Sequence, residues 1–222
     1  MSDHDRSAPR AAAPHRYLLG VGTLLWRIHP RRSAAVDFTP HDARRTVHRG
    51  RFDGSPADPY PTVNASFEPS AIVAELLLRS IPLPTRGDRT VRRVSVAGRR
   101  ASLIATAADL DLVSLVDAPA LAAVAQDAWL VHSSDIRDPR LGAWVAGLRA
   151  RTGWAQGLVW PLRAEPQRHL VVLFGDRCGP GVFEPEPRQH FDLDDEFGAR
   201  WLNSMLAHHR ARIALPKEVR AG

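Results

Sequence analysis

A single cysteine, Cys178, stands among 222 residues. That excludes an internal disulfide framework and points to a reducing, cytoplasmic setting. Its neighbours Arg177 and Gly179 form no nucleophile motif, so the thiol reads as structural. Lysine is as scarce: Lys217 is the only one, so the formal charge of +6 rests on arginine. Guanidinium forks suit phosphate and carboxylate ligands, but a basic balance alone does not specify nucleic acid. Long apolar runs are missing too. Tyr17 to Trp26 is broken by glycines and too short to span a bilayer, and no signal-peptide cleavage pattern precedes it. Gly20-Val21-Gly22 lacks the third glycine of a dinucleotide fingerprint. No His, Cys and carboxylate set falls at metal-ligand spacing, and the neighbours His208 and His209 cannot face the same way on a helix. Asp192, Asp194, Asp195 and Glu196 lack the glycine and terminal glutamate of a calcium loop and read as the acidic start of a helix.

What is present fits an ordinary globular chain, with 44% hydrophobic and 24% charged residues. Residues 1–16, rich in Ala, Arg, Ser and Pro without periodicity, read as a disordered leader, and 214–222 as a tail. Between them a single α+β domain over 17–213 is expected, a central mixed sheet flanked by helices. Strands are expected at Leu24–His29, Ser102–Thr106, Leu112–Val116, Gly157–Trp160 and His169–Phe174, the last a continuous apolar run suited to a central position. Helices are expected at Ala118–Asp127, at Arg137–Arg151 and at Asp194–Ile213 with Phe197, Trp201, Leu202, Met205 and Leu206 inward. Pro30 to Asn64 shows little periodicity and reads as one long irregular stretch.

One helix carries the chemistry. Pro69-Ser70-Ala71-Ile72-Val73-Ala74-Glu75-Leu76-Leu77-Leu78-Arg79 begins with a proline, with Ser66 as an upstream cap, and places one carboxylate among apolar side chains. A buried carboxylate needs a partner, a water-filled cleft or a task. The plain alternative is a surface pair with Arg79 at i+4. Arg27, in Leu25-Trp26-Arg27-Ile28-His29, and Arg51, in Gly50-Arg51-Phe52-Asp53-Gly54, are candidate anion anchors, and their plain alternative is solvated surface. Trp129, Trp144 and Trp201 fall on apolar stripes and read as core, whereas Trp160 at a strand end is a pocket candidate.

In the order Trp26-Arg27-Ile28-His29, Gly50-Arg51-Phe52-Asp53-Gly54, Ala71-Ile72-Val73-Ala74-Glu75, then Gly157-Leu158-Val159-Trp160 leading to Leu170-Val171-Val172-Leu173-Phe174-Gly175, the chain resembles the RES-domain family from about Leu24 to Cys178. The resemblance implies an ADP-ribosyltransferase-like fold. It also implies a toxin of a toxin-antitoxin pair that cleaves the nicotinamide-ribose bond of NAD with water or phosphate. NAD would be a substrate, no cofactor or metal is implied, and an Xre-type antitoxin would be the protein partner. Glu75, Arg27 and Arg51 would be the catalytic set, with Arg27, Arg51, Tyr60, Asn64 and Trp160 binding substrate. Two positions depart from the family pattern: its tyrosine position reads Asn64, and Leu162 stands where its serine falls. Ser133 and Ser134 have no spacing that makes either a replacement. The alternative expectation is therefore a RES-like module that binds a nucleotide or a protein without turnover. Nucleic-acid binding through the Arg-rich stretch Arg31–Arg51 has little support, since Phe38 is its only aromatic residue.

Overall fold

The computed structural model describes residues 13–41, 50–132 and 138–216. Its centre is an eight-stranded mixed sheet in the order β1-β6-β7-β8-β3-β2-β5-β9. The strands are β1 Arg16–Leu19, β2 Leu24–Pro30, β3 Thr62–Ser66, β5 Arg99–Ala105, β6 Leu110–Ser114, β7 Gly157–Leu162, β8 Glu165–Phe174 and β9 Gln189–Asp192. Within this sheet, among the described residues, β6 and β7 are the one parallel pair. A second, two-stranded sheet joins β4 Arg89–Val91 to β10 Ala211–Ile213. The helices are α1 Pro69–Val73, which continues into a π-helical turn at Ala74–Leu78, then α2 Ala118–Ala123, α3 Trp129–His132, α4 Pro139–Arg151 and α5 Glu196–Ala207.

Strand alternation divides the core in two. On one face Trp26, Ile28, Trp160, Val172 and Phe174 meet the helical side chains Ile72, Leu121, Leu148 and Leu202. On the other, Leu25, Val63, Ala65, Val171 and Leu173 pack with Ala35, Val182 and Phe183 from connecting segments. The Leu170–Phe174 run is buried on both faces, as a central strand requires.

Several expectations are corrected. The strand region begins at Arg16 with a backbone bond from Ser114 to the His15 carbonyl, so the last residues of the expected leader belong to the sheet; residues 1–12 lie outside the described residues. Pro30–Asn64 is not irregular to its end, because β3 starts at Thr62 and Thr39 bridges to it; 42–49 lie outside the described residues. Ser66 is no helix cap: it closes β3, and extended Glu68 precedes Pro69, a conformation that proline imposes on its predecessor. The helix from Ala118 ends at Ala123, where Ala125 turns at positive φ. α4 starts at Pro139, capped by the Asp138 carboxylate; Arg137, Ser133 and Ser134 lie outside the described residues. The last helix ends at Ala207. Arg210 at φ 49° reverses the chain, and Ala211–Ile213 becomes a strand because β4 offers it a partner. Phe197 is 70% exposed rather than inward, at the helix start where one face of its ring still stacks on Phe191. Trp129, Trp144 and Trp201 are half-buried against the core.

Candidate functional site

The helix register delivers Glu75 to a cleft. α1 packs Ile72 and Val73 on the sheet, and the π-helical turn that follows holds Glu75 at 5% exposure. Single π turns inside helices recur at functional sites because they displace side chains from the regular spacing. The cleft, of about 340 Å³, is lined by Glu75, Arg51, Arg79, Arg89, Arg163 and His209, with Leu78, Ile81 and Leu162 among its apolar walls. That volume lies at the low end for small-molecule sites. Four arginines and one carboxylate share the lining, so the cleft suits an anion with a cationic or polar end beside Glu75.

Two of those cations grip the carboxylate unequally. Arg79 Nη1 is 2.6 Å from Glu75 Oε1, and Arg51 Nε is 3.9 Å from the same oxygen. The i+4 pair expected as the plain reading therefore exists, but inside a cleft rather than on the surface. Arg51, 3% exposed, also donates to the Leu130 carbonyl at 3.3 Å. Burial pulls its pKa down to about 10; Glu75 opposes that fall, and Arg79 and Arg163 add to it. The guanidinium stays charged at neutral pH.

The other expected site residues separate from this group. Arg27 lies on the opposite face of the sheet, on the side of Leu25, and its guanidinium donates to the Ala35 and Asp37 carbonyls at 2.5 and 2.8 Å. It holds the connection after β2, and the arrangement does not bring it to Glu75. Tyr60 donates to the Phe52 carbonyl at 2.9 Å and lies under Arg149, whose guanidinium is 3.7 Å from the ring centre. Burial pushes the Tyr60 pKa upward, so it stays a neutral core phenol. Trp160 is 1% exposed, edge-on to Phe52, and does not line the cleft; its strand position is buried on both faces. Asn64 is on the helix-bearing face, where it donates to Asp53 at 2.7 Å and fills the space against Gly50. It supports the Gly50–Asp53 turn that carries Arg51, a turn closed by the Gly50 N–H bond to Asp53 at 2.7 Å.

Arg89, Arg163 and His209 are the residues missed by sequence reasoning. Arg163 sits in the two-residue connection between paired Leu162 and Glu165, beside the departure at Leu162, which was the available signal. Arg89 and His209 are brought together by the β4–β10 pairing and by a bond from Arg89 Nη2 to the His209 carbonyl, which nothing in local sequence announces. Burial, and then Asp176, push the Cys178 thiol up to about 12, so it is protonated at neutral pH. Among the described residues no three His, Cys, Asp or Glu side chains form a metal-binding group, and no helix is long and apolar enough to cross a membrane.

An α+β domain with a mixed sheet and a buried carboxylate set among arginines is thus the class that fold and site define. Residues 24–195 match the RES domain, and the chain belongs to that family. A solved structure described as the M. tuberculosis MbcT-MbcA toxin-antitoxin complex is similar in fold, with a TM-score of 0.55 at 16% identity over 86% of this chain and 92% of that one. No curated protein gives a significant match.

Proposed function

We propose that this protein is an NAD-consuming enzyme that breaks the bond between nicotinamide and ribose. The observation that carries the reading is the buried Glu75 carboxylate facing a cleft walled by Arg51, Arg79, Arg89 and Arg163. Nicotinamide departs neutral with the bonding electron pair and leaves cationic character on the ribose ring. A carboxylate fixed beside that ring stabilises it in a site shielded from water. The diphosphate, a dianion, is held by guanidinium forks. Water or inorganic phosphate then bonds to the ribose carbon. In this reading Arg51 and Arg163 serve the role of substrate anchors, and Arg27 stabilises the scaffold from the far face.

Purified protein incubated with NAD, with and without phosphate, tests this by release of free nicotinamide. Wild type releasing no more than Glu75→Gln rejects it. A second reading is favoured by the separation of Arg27 from Glu75 and by Leu162, an apolar side chain where the family places a serine: the cleft then binds a nucleotide without turnover. Calorimetric NAD binding with no nicotinamide released would select that reading. The similarity to a toxin-antitoxin complex supports a protein antitoxin as partner. Growth arrest on expression, relieved by Glu75→Ala and by the product of an adjacent gene, is the expected outcome.

A further inference from the structure

The family match ends at residue 195, yet a wall of the cleft comes from later residues. His209 follows α5, is 8% exposed, and borders the cleft, whereas its neighbour His208 faces solvent. Its Nδ1 is 3.5 Å from Glu165 Oε1, and its Nε2 makes no hydrogen bond of normal geometry. A buried ring nitrogen in that state calls for an explanation.

The other contacts of this residue and its partners link three segments. Glu165 Oε2 is 2.6 Å from Arg168 Nε, and Arg168 donates to the Ser70 hydroxyl. Ser70 lies in α1, five residues before Glu75. The His209 carbonyl accepts from Arg89 Nη2 at 2.6 Å, and the Arg89 N–H donates to the Arg210 carbonyl at 2.8 Å. One chain of contacts therefore runs from the helix bearing Glu75, through the β8 residues next to Arg163, to the C-terminal turn and Arg89. That helix, the β7–β8 connection just before those β8 residues, and the C-terminal turn with Arg89 all line the cleft.

We propose that His209 is a positioning residue of this site, joining α1, the β7–β8 connection and the C-terminal turn so that Glu75, Arg163 and Arg89 keep one geometry. The proposal rests on the NAD reading above. The groups facing its imidazole are Glu165 and Arg168 from β8, Arg89 from β4 and the Ser70 backbone from α1. Burial lowers its pKa; Glu165 and the Ser70 backbone oppose this, and Arg89 and Arg168 reinforce it. The ring is thus neutral at pH 7, and acid converts its contact with Glu165 into an ion pair.

His209→Gln, Glu165→Gln and the double variant, made in the full chain and shown folded by circular dichroism, test it. Each single variant is expected to lower kcat for nicotinamide release by about tenfold to a hundredfold with KM changed far less, the size of effect that a displaced catalytic group produces. The double variant should lose little more than either single one, as members of one network do. The acid limb of the wild-type pH profile should shift in His209→Gln but not in the surface control Glu196→Gln. Unchanged kcat and pH profile in a folded His209→Gln overturn the proposal, as do fully additive losses. Should wild type release no more nicotinamide than Glu75→Gln, the NAD reading fails separately. Amide exchange in residues 70–79 and 162–168 then decides: faster in His209→Gln supports the link, and equal rates overturn it.

Discussion

Glu75 was legible before any fold was known, for a physical reason: an ionisable group inside an apolar pattern has few inexpensive places to go, whereas Arg51, between Gly50 and Phe52-Asp53, came into view only with the family resemblance. Arg27 obeyed the same logic and still belongs elsewhere. A buried arginine is satisfied as well by carbonyl oxygens as by a ligand, and sequence does not say which face of β2 meets the cleft. Arg51 gives the sharpest residue-scale prediction. Its side chain is 1% exposed, and its Nε is turned toward Glu75 while Nη1 is tied to Leu130. A lysine keeps the charge but loses the fork, so Arg51→Lys should reduce kcat/KM for nicotinamide release at least tenfold, with the loss carried largely by KM. Arg27→Met should lower thermal stability while leaving KM within about threefold, since a group satisfied on the far face contributes to folding rather than binding. A KM that rises as much in Arg27→Met as in Arg51→Lys would return Arg27 to the site.

At the scale of elements, periodicity located α4, β7 and β8 well, because each buries one stripe or a continuous run. It overran at α5, where His208–Ile213 reads as helix but turns at His208–Arg210 and pairs with β4 as a strand at Ala211–Ile213. Short edge strands such as β9 and β10 were invisible, since their existence depends on a distant partner. The start of α5 shows a constraint that the letters conceal. A Cβ at Gly198 would lie 1.8 Å from the Asp192 carbonyl oxygen, backbone against backbone, where neither side can yield cheaply. Asp195 caps this same turn by accepting from the Gly198 N–H at 2.6 Å. Gly198→Ala should therefore destabilise the protein by about 1–3 kcal/mol or more, although alanine is the better helix former in isolation. Gly179→Ala, which meets nothing within 4 Å, is the control. Urea midpoints compare the two, and equal midpoints would show that α5 can move off the end of β9.

For the whole molecule, acid is the informative stress. The chain carries +6 with its ten histidines neutral, so lowering the pH adds like charge to a protein already basic. His29 gives that stress a specific point of attack. It is 2% exposed, its Nε2 is 2.9 Å from the Ser102 hydroxyl and its Nδ1 is 3.0 Å from the Pro30 carbonyl. Burial first, and then the Arg27 charge, depress its pKa to about 4. The unfolded chain binds this proton near the ordinary imidazole value while the folded one refuses it. Stability is therefore complete above about pH 7 and falls as the pH drops toward 4. After allowance for solvent screening the loss is roughly 1–3 kcal/mol. His209, depressed in the same direction, adds to it. Depressed carboxylates such as Asp192, held down by Arg100, contribute only at still lower pH. Urea unfolding between pH 7 and pH 5 thus isolates the histidines. Wild type should lose stability across this window, and His29→Gln, which keeps a polar group beside Ser102 without a titrating proton, should show a shallower slope from a lower starting value. Parallel slopes would mean that the folded sheet accepts the proton at His29, with Arg27 and its loop moving aside to admit the charge.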